Sequence, residues 1–362
     1  MNNEGIVKGT VIKTYRGPVL VEHLKINDLV LVSDGGYDKV TEIKDLGFKD
    51  TWRLNFRDIE HITGAKTINI FNSYWSINSR VRTVKIADLS NLLKKKHFQG
   101  YLPLPKEDTY PGTGEVLPIA PYILGVLLGD GSFRYRTPFL VCDDKEVLDE
   151  ITALLPSGHE LKNVKMNGRR DIFFRIVSDK TANLVSRGVN ELGLKGSYSW
   201  NKAIPKVYMY SSPSDRLSLV QGLMDSDGTS EIKRGVSFCT TSKKLAEQMC
   251  TLIRSLGGDC RITTRVPSYT YKEIKKEGRM AYNVTIRIKE KWKLFKLPRK
   301  MIRVLGKDTC SDILKRRLFS ITRGDRKMCY SVVTWSSNGL VLNDYVVLND
   351  VGFKDRNGKN LP

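Results

Sequence analysis

Two stretches of one design constrain this chain more than any other feature: ILGVLLGDG at Ile123 to Gly131, and VQGLMDSDG at Val220 to Gly228. Each is an apolar run ending in Asp-Gly. Leu124, Val126, Leu127 and Leu128 leave almost no polar face, so the run, if helical, is buried nearly all round. A short buried strand carries the same periodicity and stays open as the alternative. Gly125 and Gly129 stand four apart, as do Gly222 and Ser226. Small residues at that spacing share one helix face and let two backbones approach closely. Gly131 and Gly228 are expected in the left-handed conformation that closes a helix.

Two such helices side by side bring Asp130 and Asp227 together at their C-terminal ends. The negative pole of each helix dipole and the like charge disfavour both carboxylates there. A cation between them removes the conflict, and two carboxylates plus water are a natural Mg²⁺ site. Gly129 and Ser226, the preceding residue of each run, complete the candidate ligand set. The plainer alternative is that each Asp-Gly is only a helix stop; its repetition argues for more.

A chain of 362 residues with a formal net charge of +21 has room for two or three domains and points to a polyanionic partner. The six cysteines (Cys142, Cys239, Cys250, Cys260, Cys310, Cys329) form no Cys-x-x-Cys, and the four histidines lie apart from them, so zinc-site spacing is absent. Without a signal peptide or a long apolar span, the expectation is free thiols in a reducing cytoplasm and no membrane partner.

Residues 1–117 are expected to be short strands followed by a linker: VKGTVIKTY, GPVLVEHL, NDLVLVSDG, DKVTEIKDL and KTINIFNSYWSI cluster β-branched residues between turns. The stretch 100–118, with four prolines and three glycines, is the first expected boundary. Residues 118–305 repeat one order of elements, in copies of about 118–202 and 203–305. After Gly131, SFRYRTPFLVC is expected as a strand with Arg134 and Arg136 on one face. HELKNVKM and RRDIFFRIV flank the Asn167-Gly168 turn, and Arg169, Asp171 and Arg175 share a face of the second strand.

In the second copy TSEIKRGVSFCTT, with Lys233 and Arg234 at its turn, is a strand pair. CRITTRV and YNVTIRIK form a hairpin, with Arg261, Thr263 and Arg265 on a face of the first strand and Arg287 and Lys289 on a face of the second. Each copy reads α-β-β-α-β-β-α. Two antiparallel sheets, apolar beneath and Arg/Lys/Thr above, would make a cationic saddle for DNA. Taken singly, each arginine is equally a solvated strand residue. Residues 306–350 return to β character (CYSVVTW, GLVLND, YVVLND), and 351–362 form a polar tail.

The two motifs, the repeated order of elements and NKAIPKV ahead of the second motif resemble the LAGLIDADG homing endonucleases in their single-chain, two-motif form. The resemblance covers about residues 118–305. It implies an α+β fold with a pseudo-symmetric pair of repeats, a monomer acting on a long double-stranded DNA target, and Mg²⁺ as the cofactor with no small-molecule cofactor. It implies that Asp130 and Asp227 hold the metal. Leu128 stands where many members have another Asp, and Asp225, its counterpart, is read as structural. In the intein-borne branch of that family a lysine in NKAIP is implicated in catalysis, which here is Lys202. Its counterpart after the second sheet is Lys296 or Lys300. A lysine near the scissile phosphate can stabilise developing charge.

The flanks resemble the split halves of a Hint domain, the self-splicing fold of inteins, folding as an all-β domain from residues 1–117 and 306–350. Splicing needs an N-terminal Cys or Ser, and the matched position is Gly5. The Thr-x-x-His of that fold reads Asn72 to Trp75. The C-terminal His-Asn pair and following nucleophile read Leu348, Asn349 and Asp350. With these losses the resemblance implies a free-standing endonuclease on a scaffold that no longer splices, working on host-cell or nucleoid DNA. The alternatives are a sequence-specific nucleic-acid-binding protein without cleavage, and an active intein.

Overall fold

The computed structural model describes residues 2–57, 59–72, 81–112, 114–165, 172–179, 182–232, 235–271, 274–306, 315–336, 339–342 and 346–347. Trp75, Arg169, Asp171, Lys233, Arg234, Leu348, Asn349, Asp350 and the Asn167-Gly168 turn lie outside them. The architecture is α+β. The chain divides into two compact units: Met1–Tyr110 with Gly257–Asp259 and Ser311–Pro362, and Pro111–Leu256 with Cys260–Cys310.

Along the chain come β1 (Asn2–Val7), β2 (Val11–Thr14), β3 (Gly17–Leu20), β4 (Leu29–Leu31), β5 (Tyr37–Asn55), β6 (Glu60–Thr63), β7 (Thr67–Asn72), β8 (Val81–Lys85), α1 (Ile86–Leu93) and β9 (Gly100–Pro103). The middle holds α2 (Pro121–Gly129), β10 (Gly131–Ser132), β11 (Phe139–Val141), α3 (Lys145–Leu154), β12 (His159–Asn163), β13 (Phe173–Ser178), α4 (Leu184–Glu191) and α5 (Lys206–Met209). It continues with α6 (Pro213–Ser226), β14 (Gly228–Glu231), β15 (Gly235–Thr240), α7 (Lys243–Ser255), β16 (Asp259–Arg265), β17 (Ser268–Tyr271), β18 (Ile274–Glu277), β19 (Ala281–Arg287) and α8 (Pro298–Val304). Last are β20 (Lys315–Leu318), β21 (Ser320–Thr334), β22 (Val341–Leu342) and β23 (Val346–Val347).

In the first unit, among the described residues, β21-β1-β6-β5-β4-β2-β3 form one sheet and β20-β9-β7-β8 another. Strands from the two ends of the chain alternate: β21 pairs antiparallel with both β1 and β5, and β20 with β9. Ile12, Val30, Leu54, Ile68, Leu102 and Val332 lie in its core. Two expectations change here. Tyr37–Asn55 is one long strand, with Gly47 at φ 66° and three register shifts against β21 absorbing its bend. The proline- and glycine-rich stretch 100–118 is not linker throughout, since Leu102 of β9 is buried in the sheet.

In the second unit the motif run is a helix rather than a strand. Pro121 occupies the first helical turn of α2, where its missing N–H costs nothing. Every residue from Tyr122 to Leu128 is buried, as an apolar helix surface requires. Helix α6 starts at Ser212, whose Oγ accepts from the Asp215 N–H at 3.2 Å and donates to Asp215 Oδ2 at 2.6 Å. The two helices meet backbone to backbone: a Cβ added to Gly125 would lie 3.0 Å from Gly222 Cα and 2.9 Å from Leu223 N. Gly131 and Gly228 are not left-handed. They open β10 and β14 at ordinary φ, and they are glycine because a Cβ would come 2.6 Å from the Leu127 and Met224 Cα atoms respectively.

Around the helices lie the sheets β10-β11-β13-β12 and β14-β15-β19-β16. Leu140, Leu161, Phe174 and Ile176 of the first, with Val236, Phe238, Val284 and Ile286 of the second, pack into the helical core. The stretch after Gly131 is not one strand: β10 and β11 pair as Ser132 with Phe139, and 133–138 is the loop between them. Phe133 is buried there while Arg134, Tyr135 and Arg136 are exposed. The hairpin expected between CRITTRV and YNVTIRIK is interrupted by a second one, β17 with β18.

Candidate active site

Asp130 and Asp227 cap α2 and α6 in the same backbone conformation, φ −88° with ψ 1° and φ −91° with ψ 1°. Their N–H groups finish the helices, donating to Val126 O at 2.9 Å and Leu223 O at 3.0 Å. Gly129 lies against Ser226, and a Cβ on Gly129 would sit 3.5 Å from Asp227 Oδ2. The Ser226 hydroxyl donates back to Gly222 O at 2.9 Å and Leu223 O at 3.1 Å, so it serves the helix.

Each helix end carries a buried lysine. Lys202 Nζ donates to the carbonyls of Leu127 (3.0 Å), Leu128 (2.8 Å), Gly129 (3.0 Å) and Gly131 (2.7 Å). Lys300 Nζ donates to those of Met224 (2.8 Å), Asp225 (2.7 Å) and Gly228 (2.7 Å). An ammonium there satisfies the last carbonyls, which lack helical partners, and offsets the negative end of the dipole. Between the two open candidates the geometry assigns the helix end to Lys300. Lys296 instead pairs with Glu150, and its Nζ lies 4.9 Å from the centre of the Tyr122 ring. The spacing already carried that signal: Lys202 follows Asp130 by 72 residues, Lys300 follows Asp227 by 73 and Lys296 by 69.

The electrostatics match this crowding. Burial pushes the Asp227 carboxyl up to about 6, the Asp130 charge adds to the push, and Lys202 and Lys300 oppose it. Asp130 is more open to solvent, and its carboxyl is raised in the same direction by partial desolvation against the same two lysines. Burial brings Lys202 down to about 8, with Asp227 and Asp130 pulling the other way, and lowers Lys300 as well. Asp225 is committed to structure: it accepts from the Tyr122 hydroxyl at 3.0 Å and the Lys296 N–H at 3.0 Å. Its counterpart Leu128 is buried.

Among the described residues no group of three or more His, Cys, Asp or Glu side chains is placed to hold a metal ion. Two carboxylates of raised pKa at one spot, one of them open to solvent, suit a hard cation such as Mg²⁺, which takes one or two carboxylates and completes its shell from water and phosphate. A cavity of about 250 Å³ beside Asp130 is lined further by Cys142, Asp143, Asp144 and Ser226. Of these, Asp144 is engaged by Arg299 at 2.6 Å and 2.7 Å.

Of the described basic candidates, Arg175, Arg261, Arg265 and Arg287 lie on strands. Arg175 is half-buried beside Lys162, its guanidinium 5.9 Å from the Phe139 ring centre. Arg261, Arg265 and Arg287 are exposed on β16 and β19, and Lys289 is exposed just beyond. Thr263 Oγ1 donates to Asn283 O at 3.4 Å between those strands. Arg134 and Arg136 sit in the 133–138 loop.

In the other unit Gly5 has φ 77°, and a Cβ there would run into the backbone of Gly64 and Ala65. Its carbonyl accepts from the Gly64 N–H at 2.8 Å and from Thr63 Oγ1 at 3.2 Å. Burial lowers the nearby strand residue His61 to about 4, so it is neutral at physiological pH.

No family model matches the chain. Over 184 residues it is 28% identical to the replicative DNA helicase DnaB of Mycobacterium intracellulare; the match takes in 51% of this chain and 26% of the helicase. The chain therefore spans about a quarter of the length of that relative. A solved structure of mesophilic variants of the homing endonuclease I-DmoI is similar at 15% identity with a TM-score of 0.30, over 54% of this chain and 92% of that one. Among the described residues no helix is long and apolar enough to cross a membrane.

Proposed function

We propose that this chain is a site-specific DNA endonuclease of the LAGLIDADG homing type, working as a monomer with Mg²⁺, on an intein-like scaffold that does not splice. One observation carries the reading: two helices packed glycine to glycine end in Asp130 and Asp227, and each end is neutralised by its own buried lysine. A plain helix stop needs no carboxylate beside its negative pole, and here both ends have one, with a buried ammonium on the carbonyls around it. The repeated order of elements from α2 to α4 and from α6 to α8 is read as two copies of one unit. Their basic strand faces are read as the DNA saddle, in keeping with a net charge of +21. On this reading the quarter of the helicase that matches is an inserted element of the same kind.

Asp130 and Asp227 would hold the cation, with the Gly129 and Ser226 backbone adjoining. Bound there, Mg²⁺ supplies Lewis-acid stabilisation of the charge that develops on the phosphodiester. Lys202 and Lys300, bonded to the carbonyls around each aspartate, would fix the two helix ends and add positive charge beside the scissile phosphate. Lys296, engaged by Glu150, has no part in this.

The test is cleavage-site selection on randomised or genomic duplex DNA with MgCl₂. The expected outcome is a double-strand break at a unique long sequence. Asp130→Asn and Asp227→Asn should each abolish cutting and leave duplex affinity within a few-fold. Binding by the wild type with no cut under any divalent metal would leave a DNA-binding protein in place of the enzyme.

A further inference from the structure

Four side chains form a column beside the turn that carries Lys202. The rings of Tyr198 and Trp200 stack with centroids 4.4 Å apart and planes at 15°. The Arg134 guanidinium lies 4.8 Å from the centre of the Tyr198 ring, and that of Arg279 lies 3.7 Å from the centre of the Trp200 ring. The column joins the 133–138 loop to the three residues, 278–280, between β18 and β19. Each ring is 39% exposed, so this is no core cluster. Both guanidiniums are exposed, and among the described residues neither has a carboxylate partner in an ion pair.

The chemistry of such a column is specific. A guanidinium lying flat on an aromatic face keeps the N–H donors of its edge free in one plane, the geometry that suits a phosphate. Stacking also removes much of the rotamer freedom that an exposed arginine would lose on binding. Two guanidiniums held against the rings of this stack on a strongly basic chain suit phosphates of a nucleic-acid backbone.

The column is also tied to the candidate active site. Tyr198 O accepts from the N–H groups of Asn201 and Lys202, both at 3.1 Å, and the Tyr198 N–H donates to Asn201 Oδ1 at 2.6 Å. The Gly196 N–H donates to Phe133 O at 2.8 Å, next to Arg134. Ser242 Oγ, the cap of α7, donates to Lys202 O at 2.7 Å. The rings and the lysine thus share one hydrogen-bonded turn, and Lys202 reaches from it to the end of α2.

We propose that Arg134, Tyr198, Trp200 and Arg279 form a clamp for the DNA backbone, and that the 198–202 turn makes this clamp a positioning device for Lys202. The proposal rests on the DNA-cleaving reading above and adds to it three residues, Tyr198, Trp200 and Arg279, that the motif does not mark.

The experiment measures duplex DNA affinity of the full chain against KCl concentration for the wild type, for Arg134→Ala/Arg279→Ala and for Trp200→Leu. Each lost phosphate contact lowers the slope of log affinity against log salt by about 0.9. The double variant should therefore lose about 2 from the slope and Trp200→Leu about 1. At saturating duplex and MgCl₂, Trp200→Leu should also cut about tenfold more slowly, from a displaced Lys202. A column that is merely structural would lower Tm and leave the slope and the saturated rate alone, and that result overturns the proposal. A wild type that binds no duplex overturns the DNA reading and the clamp together, whereas unchanged slopes in folded variants overturn only the clamp.

Discussion

At the scale of single residues, the pair Asp227 and Lys202 sets a pH window. The Asp227 carboxyl is raised from 3.8 to about 6, so the folded chain holds that proton more tightly than the unfolded chain does. Below the ordinary value the effect on stability is nil. Between about 4 and 6 the folded state is progressively penalised, and above 6 the full penalty remains unless a cation occupies the site. Millimolar MgCl₂ should therefore leave Tm unchanged near about pH 5 and raise it by about 3 °C near about pH 7.5. The shift should vanish in Asp227→Asn, as differential scanning fluorimetry would show. Lys202, brought down to about 8, carries its charge through that window and loses it above. Cleavage should accordingly rise with pH through about 6 and fall beyond about 8.

At the scale of elements, the decisive object is the seam between α2 and α6. Gly125 and Gly222 leave no room for a methyl group, because the atoms facing each are backbone of the other helix and cannot rotate away. Gly222→Ala should cost about 3 kcal/mol, the upper end for overpacking, read from urea unfolding. It should reduce cleavage through the same separation of Asp130 from Asp227. Both helices were legible only in part: small residues four apart favour a helix, but the apolar run left a buried strand open until Pro121 in the first turn and burial all round decided it. The placing of Asp130 and Asp227 at the two helix ends was legible from the repeated motif, while Lys202 was singled out only by the resemblance in NKAIP. Less legible were features set by tertiary contact. Gly131 and Gly228 carry no positive φ, so only the close approach of Leu127 and Met224 explains them. The 133–138 loop looks like a strand because Phe133 and Tyr135 alternate with Arg134 and Arg136, but among the described residues no partner strand continues there. Helix α1 hides in a β-rich region with only Ile86 and Leu89 fully inside. Arg279 and Trp200 lie 79 residues apart, and nothing local announces that one will sit on the other.

At the scale of the whole molecule, a chain of +21 carries two compact units, and the reading assigns chemistry to one of them. Placed between two reporter domains, the full chain should yield no ligated reporter product, by gel and mass spectrometry; ligation would restore the active-intein alternative. Gly5→Cys should not rescue the reaction. Gly5 sits at φ 77° with Gly64 and Ala65 backbone where a side chain would begin, and Thr63 and the Gly64 N–H hold its carbonyl there. Any side chain at that position requires β1 to move before it can be accommodated. A single substitution to Cys or Ser at position 5 therefore meets this clash before it can offer a nucleophile.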